Sequence, residues 1–241
     1  MDARGEARHG GRREARRRSP AGRPAGGQRE AAAAQLLAEG LRRLRIDCPP
    51  ARLEDLERYR LELERWNQRY GLVKASGNDL VVRHFLDSLA GLPVLARLSP
   101  RRTVLDVGSG AGFPGLPLAL FLEDSQFVLL ERSARKAAFL GNVVALLGLG
   151  NVRVLELELR GLKERFDLVT FRALSPLGRE LPALRRVLAP EGRIAAYKGR
   201  RERIEQELEQ ARLPEAEVVP LQVPFLAEER HLVLLRAAPS V

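Results

Sequence analysis

The sequence has little of what a disulfide framework or a metal centre requires. Cys48 is the single cysteine, so neither an intramolecular disulfide nor a thiolate cluster can form. The three histidines, His9, His84 and His231, lie far apart, and no two of them stand at a metal-ligand spacing with a carboxylate or cysteine nearby. We therefore expect a protein without a metal.

Long hydrophobic runs are also missing, although 45% of the residues are hydrophobic. Apolar segments such as Phe127–Leu130 and Val143–Leu147 fall far short of the roughly 20 residues that span a bilayer. The N-terminus is basic but lacks the apolar core of a secretory signal. We expect no membrane partner and a cytoplasmic location.

Positive charge is in excess, with a formal net charge of +10. Such an excess is typical of proteins that bind nucleic acid, because neutralising phosphates releases counterions. Half of it lies in residues 1–30, which hold nine arginines and four acidic residues. Residues 1–28 are rich in Gly, Arg and Pro, and we expect a basic disordered tail there. An arm that grasps RNA and a merely solubilising segment are both open interpretations of this tail.

The length of 241 residues fits one sizeable α/β domain with an appendage. Helical periodicity marks three segments before residue 100, the last of them interrupted near Gly91. These segments are Glu30–Arg45, Leu53 to about Gly71, and Leu80–Leu98. We predict that residues 29–99 form an N-terminal helical cap over one side of the domain that follows.

After Pro100, short apolar strands alternate with helices, the pattern of a parallel sheet covered on both faces. The predicted strands are Thr103–Val107, Phe127–Glu131, Val152–Leu155, Leu168–Phe171, Arg193–Tyr197, Val218–Val223 and His231–Arg236. The predicted helices are Gly115–Phe121, Ser133–Leu147, Gly178–Leu188 and Arg200–Arg212. No long helix separates the last two strands, so they should pair antiparallel. Residues 100–241 are therefore predicted to form one α/β domain, a mostly parallel seven-stranded sheet with a C-terminal antiparallel hairpin, as in Rossmann-like class I methyltransferases.

A glycine-rich loop follows the first predicted strand. Gly108, Gly110 and Gly112 let the backbone turn tightly and approach a ligand, which in open α/β sheets lies at the carboxyl ends of the strands. Position 113 is Phe, so the loop fits G-x-G-x-G better than the dinucleotide fingerprint G-x-G-x-x-G. Asp106 is a carboxylate at the end of the strand, suited to a cationic or ammonium-bearing ligand. This loop predicts binding of S-adenosyl-L-methionine.

Two further segments agree with that ligand. Glu131 ends the next strand, nineteen residues beyond Gly112, where a carboxylate can accept hydrogen bonds from both ribose hydroxyls. Leu159 and Arg160 follow the third strand, where the adenine is expected. A loop without a ligand role is a close alternative for this second segment.

Five segments, in this order, resemble the motifs of the 16S ribosomal RNA guanine-N7 methyltransferases, the family called RsmG and formerly GidB. They are Val82–Leu89, Asp106–Gly115, Phe171–Ala173, Tyr197–Gly199 and Glu229–Val233. The resemblance implies an enzyme that methylates N7 of a guanine in 16S rRNA of the small ribosomal subunit, in the 530 loop, with S-adenosyl-L-methionine as the donor. The implied partner is 16S rRNA or the small subunit, and we expect a monomer.

The resemblance also assigns roles to single residues. It places the family's S-adenosylmethionine contacts on Gly108, Phe113, Leu159, Arg160 and Arg172, and its RNA-facing basic residues on Arg135 and Lys198. Arg172 ends the fourth strand, between cofactor and target base in such enzymes, and we expect it to be catalytic; a structural salt bridge is the alternative. Arg135 and Lys136 open a helix whose N-cap could be Ser133, where the dipole prefers acid, and this points to a phosphate partner. A solvated lysine is the alternative for Lys198.

Two positions depart from the family pattern Trp-Asn-x-x-x-Asn-Leu-Thr. Gly71 and Val73 replace its second Asn and its Thr, so an amide and a hydroxyl are absent where substrate docking is expected. Arg135 stands where Lys is common, which keeps the charge but changes a point donor into a planar fork. Three alternatives stay open: a dinucleotide-dependent oxidoreductase, a catalytically silent RNA-binding relative, and a methyltransferase with another substrate.

Overall fold

The computed structural model describes residues 26–172 and 176–237 of the chain. Residues 1–25 of the predicted tail and Ala173 of the third motif segment lie outside the described residues. The strands in the described part are β1 Thr103–Val107, β2 Gln126–Glu131, β3 Val152–Glu156, β4 Phe166–Arg172, β5 Leu188–Lys198, β6 Glu217–Leu221 and β7 Arg230–Arg236. Each contains most or all of one strand predicted from the sequence.

These strands form one sheet in the order β3-β2-β1-β4-β5-β7-β6. Neighbours from β3 to β5 are parallel, whereas β7 pairs antiparallel with both β5 and β6. The predicted mostly parallel, seven-stranded sheet with a C-terminal antiparallel hairpin is confirmed. The chain leaves β1 towards β2 on one side and returns to β4 on the other, so a crevice is expected at the carboxyl end of β1.

Helices precede the sheet and separate its strands. They are α1 Gly26–Arg43, α2 Pro50–Tyr70, α3 Gly77–Leu80, α4 Asp87–Leu89, α5 Leu92–Leu95, α6 Gly115–Ala119, α7 Ala134–Leu147, α8 Leu177–Arg186 and α9 Arg201–Gln210. A π-helical segment, Val81–Leu86, joins α3 to α4, and a 3₁₀ turn, Leu159–Gly161, follows β3. None of the described helices is long and apolar enough to cross a membrane.

Some predicted boundaries are wrong by a few residues. Helix α1 begins at Gly26 rather than Glu30, so residues 26–28, placed in the predicted tail, are helical. Apolar periodicity reports only buried positions, and the first turn of α1 is exposed, so the sequence pattern could not mark its start. Strand β5 begins five residues before the predicted Arg193, because Leu188 pairs with Phe166 beside a register shift.

The core consists of two hydrophobic clusters on opposite faces of the sheet. Alternate residues of β1 enter different clusters, with Val104 in one and Leu105 in the other, as the pleat of a strand requires. The first cluster also contains Leu37 of α1 and Leu56 of α2. The N-terminal helices therefore share one core with a face of the sheet.

Candidate functional site

The glycine-rich loop turns away from β1 in a left-handed backbone conformation. Its three glycines, Gly108, Gly110 and Gly112, have φ angles of 68°, 61° and 99°. The N–H of Gly108 donates to the carbonyl oxygen of Leu130 at 2.8 Å, which ties the loop to β2. Since L-residues with a side chain rarely adopt these angles, the shape of the loop depends on glycine.

Helix α2 supports this loop from one side. The buried hydroxyl of Tyr59 donates a hydrogen bond to the carbonyl oxygen of Ala111. The Tyr59 ring stacks on Phe113 with a centroid distance of 5.5 Å and contacts Phe85 at 4.9 Å. The N-terminal helices therefore hold the loop in place as well as covering the sheet. The sequence showed Tyr59 only as one apolar position of a helix.

Asp106 lies fully buried below the loop. Its Oδ2 atom accepts a hydrogen bond from the N–H of Gly115 at 3.0 Å, which joins the start of α6 to β1. Its Oδ1 atom is buried and has no hydrogen-bond partner among the described residues. Burial raises the pKa of the Asp106 carboxyl to about 7, although the hydrogen bond from Gly115 acts in the opposite direction and lowers the pKa. One oxygen is thus structural, and the other could receive the ammonium group predicted for this site.

The raised pKa of Asp106 predicts a pH-dependent stability. A carboxyl that is protonated more readily in the folded state stabilises the fold fully below its unfolded pKa of about 4 and loses that contribution as pH rises through about 7. The loss amounts to about 1.4 kcal/mol for each unit of pKa shift. We expect Asp106→Asn, which cannot ionise, to remove this dependence between pH 4 and pH 7 in urea unfolding.

The comparison between wild type and Asp106→Asn isolates this carboxyl. Burial and the charges of Arg172 and Arg83 lower the pKa of His84 to about 3, so His84 costs stability as pH falls below its unfolded value of 6.5. This effect has the opposite sign, but it is common to both proteins and cancels in their difference. Parallel stability curves for the two proteins between pH 4 and pH 7 would contradict the assignment.

Glu131 is buried at the end of β2 and binds the loop directly. Its Oε2 atom accepts a hydrogen bond from the N–H of Gly110, and its Oε1 atom accepts one from the N–H of Ser133, each at 2.9 Å. Ser133 is the N-cap residue of α7 but forms no capping hydrogen bond through its side chain. Each carboxylate oxygen retains a further lone pair. Glu131 can therefore still accept the hydrogen bonds predicted from the ribose hydroxyls.

Leu159 and Arg160 lie in the 3₁₀ turn after β3, at the carboxyl ends of the parallel strands, where the glycine-rich loop also lies. Leu159 is half-buried and Arg160 is exposed. The guanidinium of Arg186, on α8, donates to the carbonyl oxygens of Leu159, Arg160 and Leu162 at 2.9–3.0 Å. Arg186 thereby fixes the turn where the adenine is expected.

Arg172 joins the loop to the π-helical segment. Its Nη1 atom donates to the Arg83 carbonyl oxygen at 3.0 Å and to Asp87 Oδ2 at 3.2 Å, while Nη2 lies 2.5 Å from His84 Nδ1. An arginine has donors only, so His84 accepts at Nδ1 and is neutral there. The guanidinium also lies 5.4 Å from the centroid of the Phe113 ring. The salt bridge considered as an alternative is therefore present, and it holds the guanidinium beside the predicted cofactor loop.

Asp87 is a functional candidate that the sequence analysis missed. It is only 3% exposed, and its two oxygens are divided between two arginines: Oδ2 faces Arg172, and Oδ1 accepts from Arg230 Nε at 3.1 Å. Burial raises the pKa of Asp87, and the two arginines oppose that shift. Asp87 and Arg230 each belong to one of the motif segments, and this is the only feature of the sequence that marks them. Because they are far apart in the chain, the sequence does not show that they pair.

A cavity of about 700 Å³ opens beside this arrangement, at the carboxyl ends of β4 and β5. Its walls include His84, Asp87, Arg172, Tyr197, Lys198 and Arg230. Four of the five motif segments therefore meet around one cavity, next to the glycine loop that forms the fifth. Within the described ranges, no group of three or more His, Cys, Asp or Glu side chains could hold a metal ion.

The basic residues predicted to face RNA have different environments. Lys198 donates to both carboxylate oxygens of Glu207, at 2.9 and 3.1 Å, and its side chain is only 10% exposed. Lys198 is therefore not the solvated lysine considered as an alternative, because Glu207 of α9 pairs with it at the wall of the cavity. Arg135 is exposed and Lys136 half-buried in the first turn of α7, and the Arg135 guanidinium lies 6.0 Å from the Tyr70 ring.

The two departures from the family pattern lie where α2 ends. Gly71 is the left-handed C-cap of α2, with φ 58° and ψ 49°, and its N–H donates to the Asn67 carbonyl oxygen. Asparagine is the residue that most readily replaces glycine in this conformation, so the C-cap at position 71 of this chain suits either Gly or Asn. The backbone N–H of Val73 donates to Asn67 Oδ1 at 2.8 Å. The change at position 71 is thus explained by helix capping.

Substitutions at Gly71 can test this interpretation. No atom lies within 4 Å of a Cβ built on Gly71, so only the backbone angle limits the choice of residue. We expect Gly71→Asn to cost less than about 1 kcal/mol of unfolding free energy, and Gly71→Val about 2 kcal/mol, because a β-branched residue is strained at positive φ. Urea unfolding of the two variants measures this difference. Equal costs would contradict the capping role.

The chain is similar to known proteins over the segment that contains these site residues. The family model GidB, described as rRNA small subunit methyltransferase G, matches residues 52–233. The chain is 40% identical over 215 residues to the ribosomal RNA small subunit methyltransferase G of Treponema pallidum, covering 85% of this chain and 96% of the relative. It is 42% identical over 202 residues to the protein of the same name from Halorhodospira halophila, covering 81% and 93%.

Solved structures are similar to the fold at lower sequence identity. The tRNA (m1A58) methyltransferase TrmI of Aquifex aeolicus has a TM-score of 0.51 and 17% identity, covering 64% of this chain and 69% of that one. A SAM-dependent O-methyltransferase of Thermotoga maritima has a TM-score of 0.52 and 16% identity, covering 64% and 66%. These likenesses show the fold alone, and they confirm the predicted Rossmann-like methyltransferase architecture.

Proposed function

We propose, because this chain belongs to the rRNA small subunit methyltransferase G family, that it transfers a methyl group from S-adenosylmethionine to N7 of a guanine in 16S rRNA. The single observation that carries the proposal is the family match over residues 52–233, which contains every residue of the site. The family's name supplies the class of reaction and the small-subunit RNA. The N7 position of guanine and the 530 loop are what the resemblance of the sequence motifs to the guanine-N7 methyltransferases implies.

The residues present fit the cofactor. The buried Oδ1 of Asp106, which has no partner among the described residues, is an acceptor for an ammonium group. In this proposal Gly108, Gly110 and Phe113 hold the methionyl part. Glu131 holds the ribose, and Leu159 with Arg160 holds the adenine. When bound, S-adenosylmethionine supplies an electrophilic methyl group.

The target atom determines what the protein must do. Guanine N7 carries a lone pair and no hydrogen, so its attack on a methyl carbon needs neither a general base nor a Lewis acid. The chain contributes by aligning the base and excluding water. Since N7 faces the deep major groove of A-form RNA, the guanine must lie in an open or partly assembled loop.

Arg172 is the proposed catalytic residue. Its guanidinium is fixed by His84, Asp87 and the Arg83 carbonyl, and it lines the cavity beside the cofactor loop. N7 must stay free to react, so a donor of Arg172 can hold only the neighbouring O6 acceptor of the guanine. The purine gains positive charge as it is methylated, and the Asp87 carboxylate offsets the like charge of Arg172. Asp87 is therefore a positioning residue in this proposal.

Other contacts and properties follow from the substrate. We propose that Arg135 and Lys136 on α7, and Lys198 at the cavity wall, face the RNA. The enzyme acts in the cytoplasm, where ribosomal RNA is, and without a metal. A monomer is supported by the described surface, where the large exposed hydrophobic residues are only Leu61, Leu157 and Phe225. The division into a tail, a cap over 29–99 and a domain over 100–241 also stays a prediction.

Methyl transfer to isolated RNA tests the proposal. Purified protein and labelled S-adenosylmethionine are incubated with 16S rRNA or small-subunit particles from a strain that lacks the cognate methyltransferase. We expect label in 16S rRNA and none in large-subunit RNA from the same strain. Cofactor binding without transfer to either form of the substrate would instead indicate a silent RNA-binding relative.

A further inference from the structure

The charged residues of the cavity are almost all paired within the protein. Asp87 lies between Arg172 and Arg230, and Lys198 pairs with Glu207. Arg83 pairs with Glu228 at 2.8 Å. These contacts neutralise all but one of the positive charges in the inner part of the cavity, since Asp87 faces two arginines, and they explain why it can be lined by so many ionised groups.

Arg200 and Arg203 are the exceptions. Both line the same cavity and both are exposed. Among the described residues, no carboxylate lies within ion-pair distance of either, although Arg201 between them pairs with Glu205 at 2.8 Å. The remaining acid of the lining, Glu229, accepts the backbone N–H of Arg201 at 2.9 Å. The two arginines therefore leave the rim of the cavity positively charged.

Within the described part of the chain, neither of these two arginines has an evident structural role. Arg200 precedes α9 and Arg203 lies in its first turn, where a helix dipole favours acidic side chains. The apolar face of this helix is buried through Ile204, which does not require the arginines. Unpaired cations at the mouth of a cavity attract an anionic ligand, and the strand that carries the target base is a chain of phosphates.

We infer that Arg200 and Arg203 bind backbone phosphates of the RNA strand next to the guanine that enters the cavity. This inference rests on the proposed function and extends it to two residues outside the motif segments. Phosphate contacts position a nucleic acid without reading its sequence, so these arginines set affinity and register, whereas Arg172 holds the base. A guanidinium forms forked hydrogen bonds with a phosphate, which suits arginine at both positions.

The salt dependence of RNA binding tests the inference. Each phosphate contact to single-stranded nucleic acid contributes about 0.7 to the slope of log affinity against log salt concentration. We expect Arg200→Gln/Arg203→Gln to lower that slope by about 1.4 on a 16S rRNA fragment. The KM for RNA should rise, while the dissociation constant for S-adenosylmethionine stays unchanged.

Two control proteins define the result. Arg102→Gln/Arg236→Gln removes the same charge from two exposed arginines that form no ion pair with the described residues and lie at the opposite, amino-terminal end of the parallel strands; it should leave the slope near that of wild type. Arg200→Lys/Arg203→Lys keeps the charge and should retain most of the slope. Equal slopes for the Gln double variant and wild type overturn the inference while the methylation assay supports the function. A wild-type protein that methylates no RNA contradicts both.

Discussion

Replacing Arg172 with alanine is expected to lower the turnover of methyl transfer at least about a hundredfold. The guanidinium is fixed by three groups of the π-helical segment and α4, and it lies between the Phe113 ring and the cavity. Without it the guanine loses its proposed contact at O6, so N7 is no longer aligned. Single-turnover methylation with saturating RNA measures this effect.

Loss of fold must be separated from loss of alignment in that experiment. Arg172→Ala leaves Asp87 paired with Arg230, so we expect a folded protein of reduced stability that still binds S-adenosylmethionine. Arg172→Lys is the matched variant, because it keeps a positive charge for Asp87 but cannot reproduce the forked contacts with His84 and the Arg83 carbonyl. It should be more stable than the alanine variant and still slow. Turnover near that of wild type in either variant would refute the catalytic assignment.

Replacing Gly112 with alanine is expected to cost about 3 kcal/mol of stability and to weaken S-adenosylmethionine binding at least tenfold. A Cβ at this position would lie 2.4 Å from Leu116 Cδ1 and 2.6 Å from the Tyr59 hydroxyl oxygen. The φ angle of 99° adds backbone strain. Leu116 and Tyr59 are both buried, so neither can move away without opening the core.

Gly110 is the matched control for Gly112. Its φ angle of 61° lies in the left-handed α region, where the strain on an L-residue is modest, and the nearest atom to an added Cβ is the Gly108 carbonyl oxygen at 3.8 Å. Gly110→Ala should therefore cost only about 1 kcal/mol. Urea unfolding and titration with S-adenosylmethionine compare the two variants. If they lose stability equally, contact with Tyr59 and Leu116 does not determine the shape of the loop.

The sequence predicted the sheet because local signals and tertiary packing agree there. Consecutive residues of β1 and β2 are apolar and enter opposite clusters, so each strand appears in the sequence as a short apolar run. The C-terminal hairpin followed from the short connection between β6 and β7, which leaves no room for a crossover helix. The glycine loop was predicted because its backbone angles restrict the choice of residue.

The rest of the site depends on contacts between distant parts of the chain, and no local pattern reports them. Tyr59 of the N-terminal helices donates a hydrogen bond to Ala111 of the glycine-rich loop, and Asp87 accepts hydrogen bonds from arginines of β4 and β7. Lys198 is assigned to the RNA by the resemblance, whereas its ion pair with Glu207 on the following helix could not be predicted from the sequence. Lys198 and Arg200 are both basic, so the sequence does not show that Lys198 forms an ion pair whereas Arg200 forms none with the described residues.

The most direct test of the central claim is to map the methylated nucleotide in small-subunit RNA. RNA from the transfer reaction is cleaved chemically at N7-methylguanosine, and the fragments are compared with those from the Arg172→Ala reaction. We expect cleavage at a single guanine of 16S rRNA, in the 530 loop, that depends on wild-type protein. Label on another base, or on a position that resists this cleavage, would contradict it.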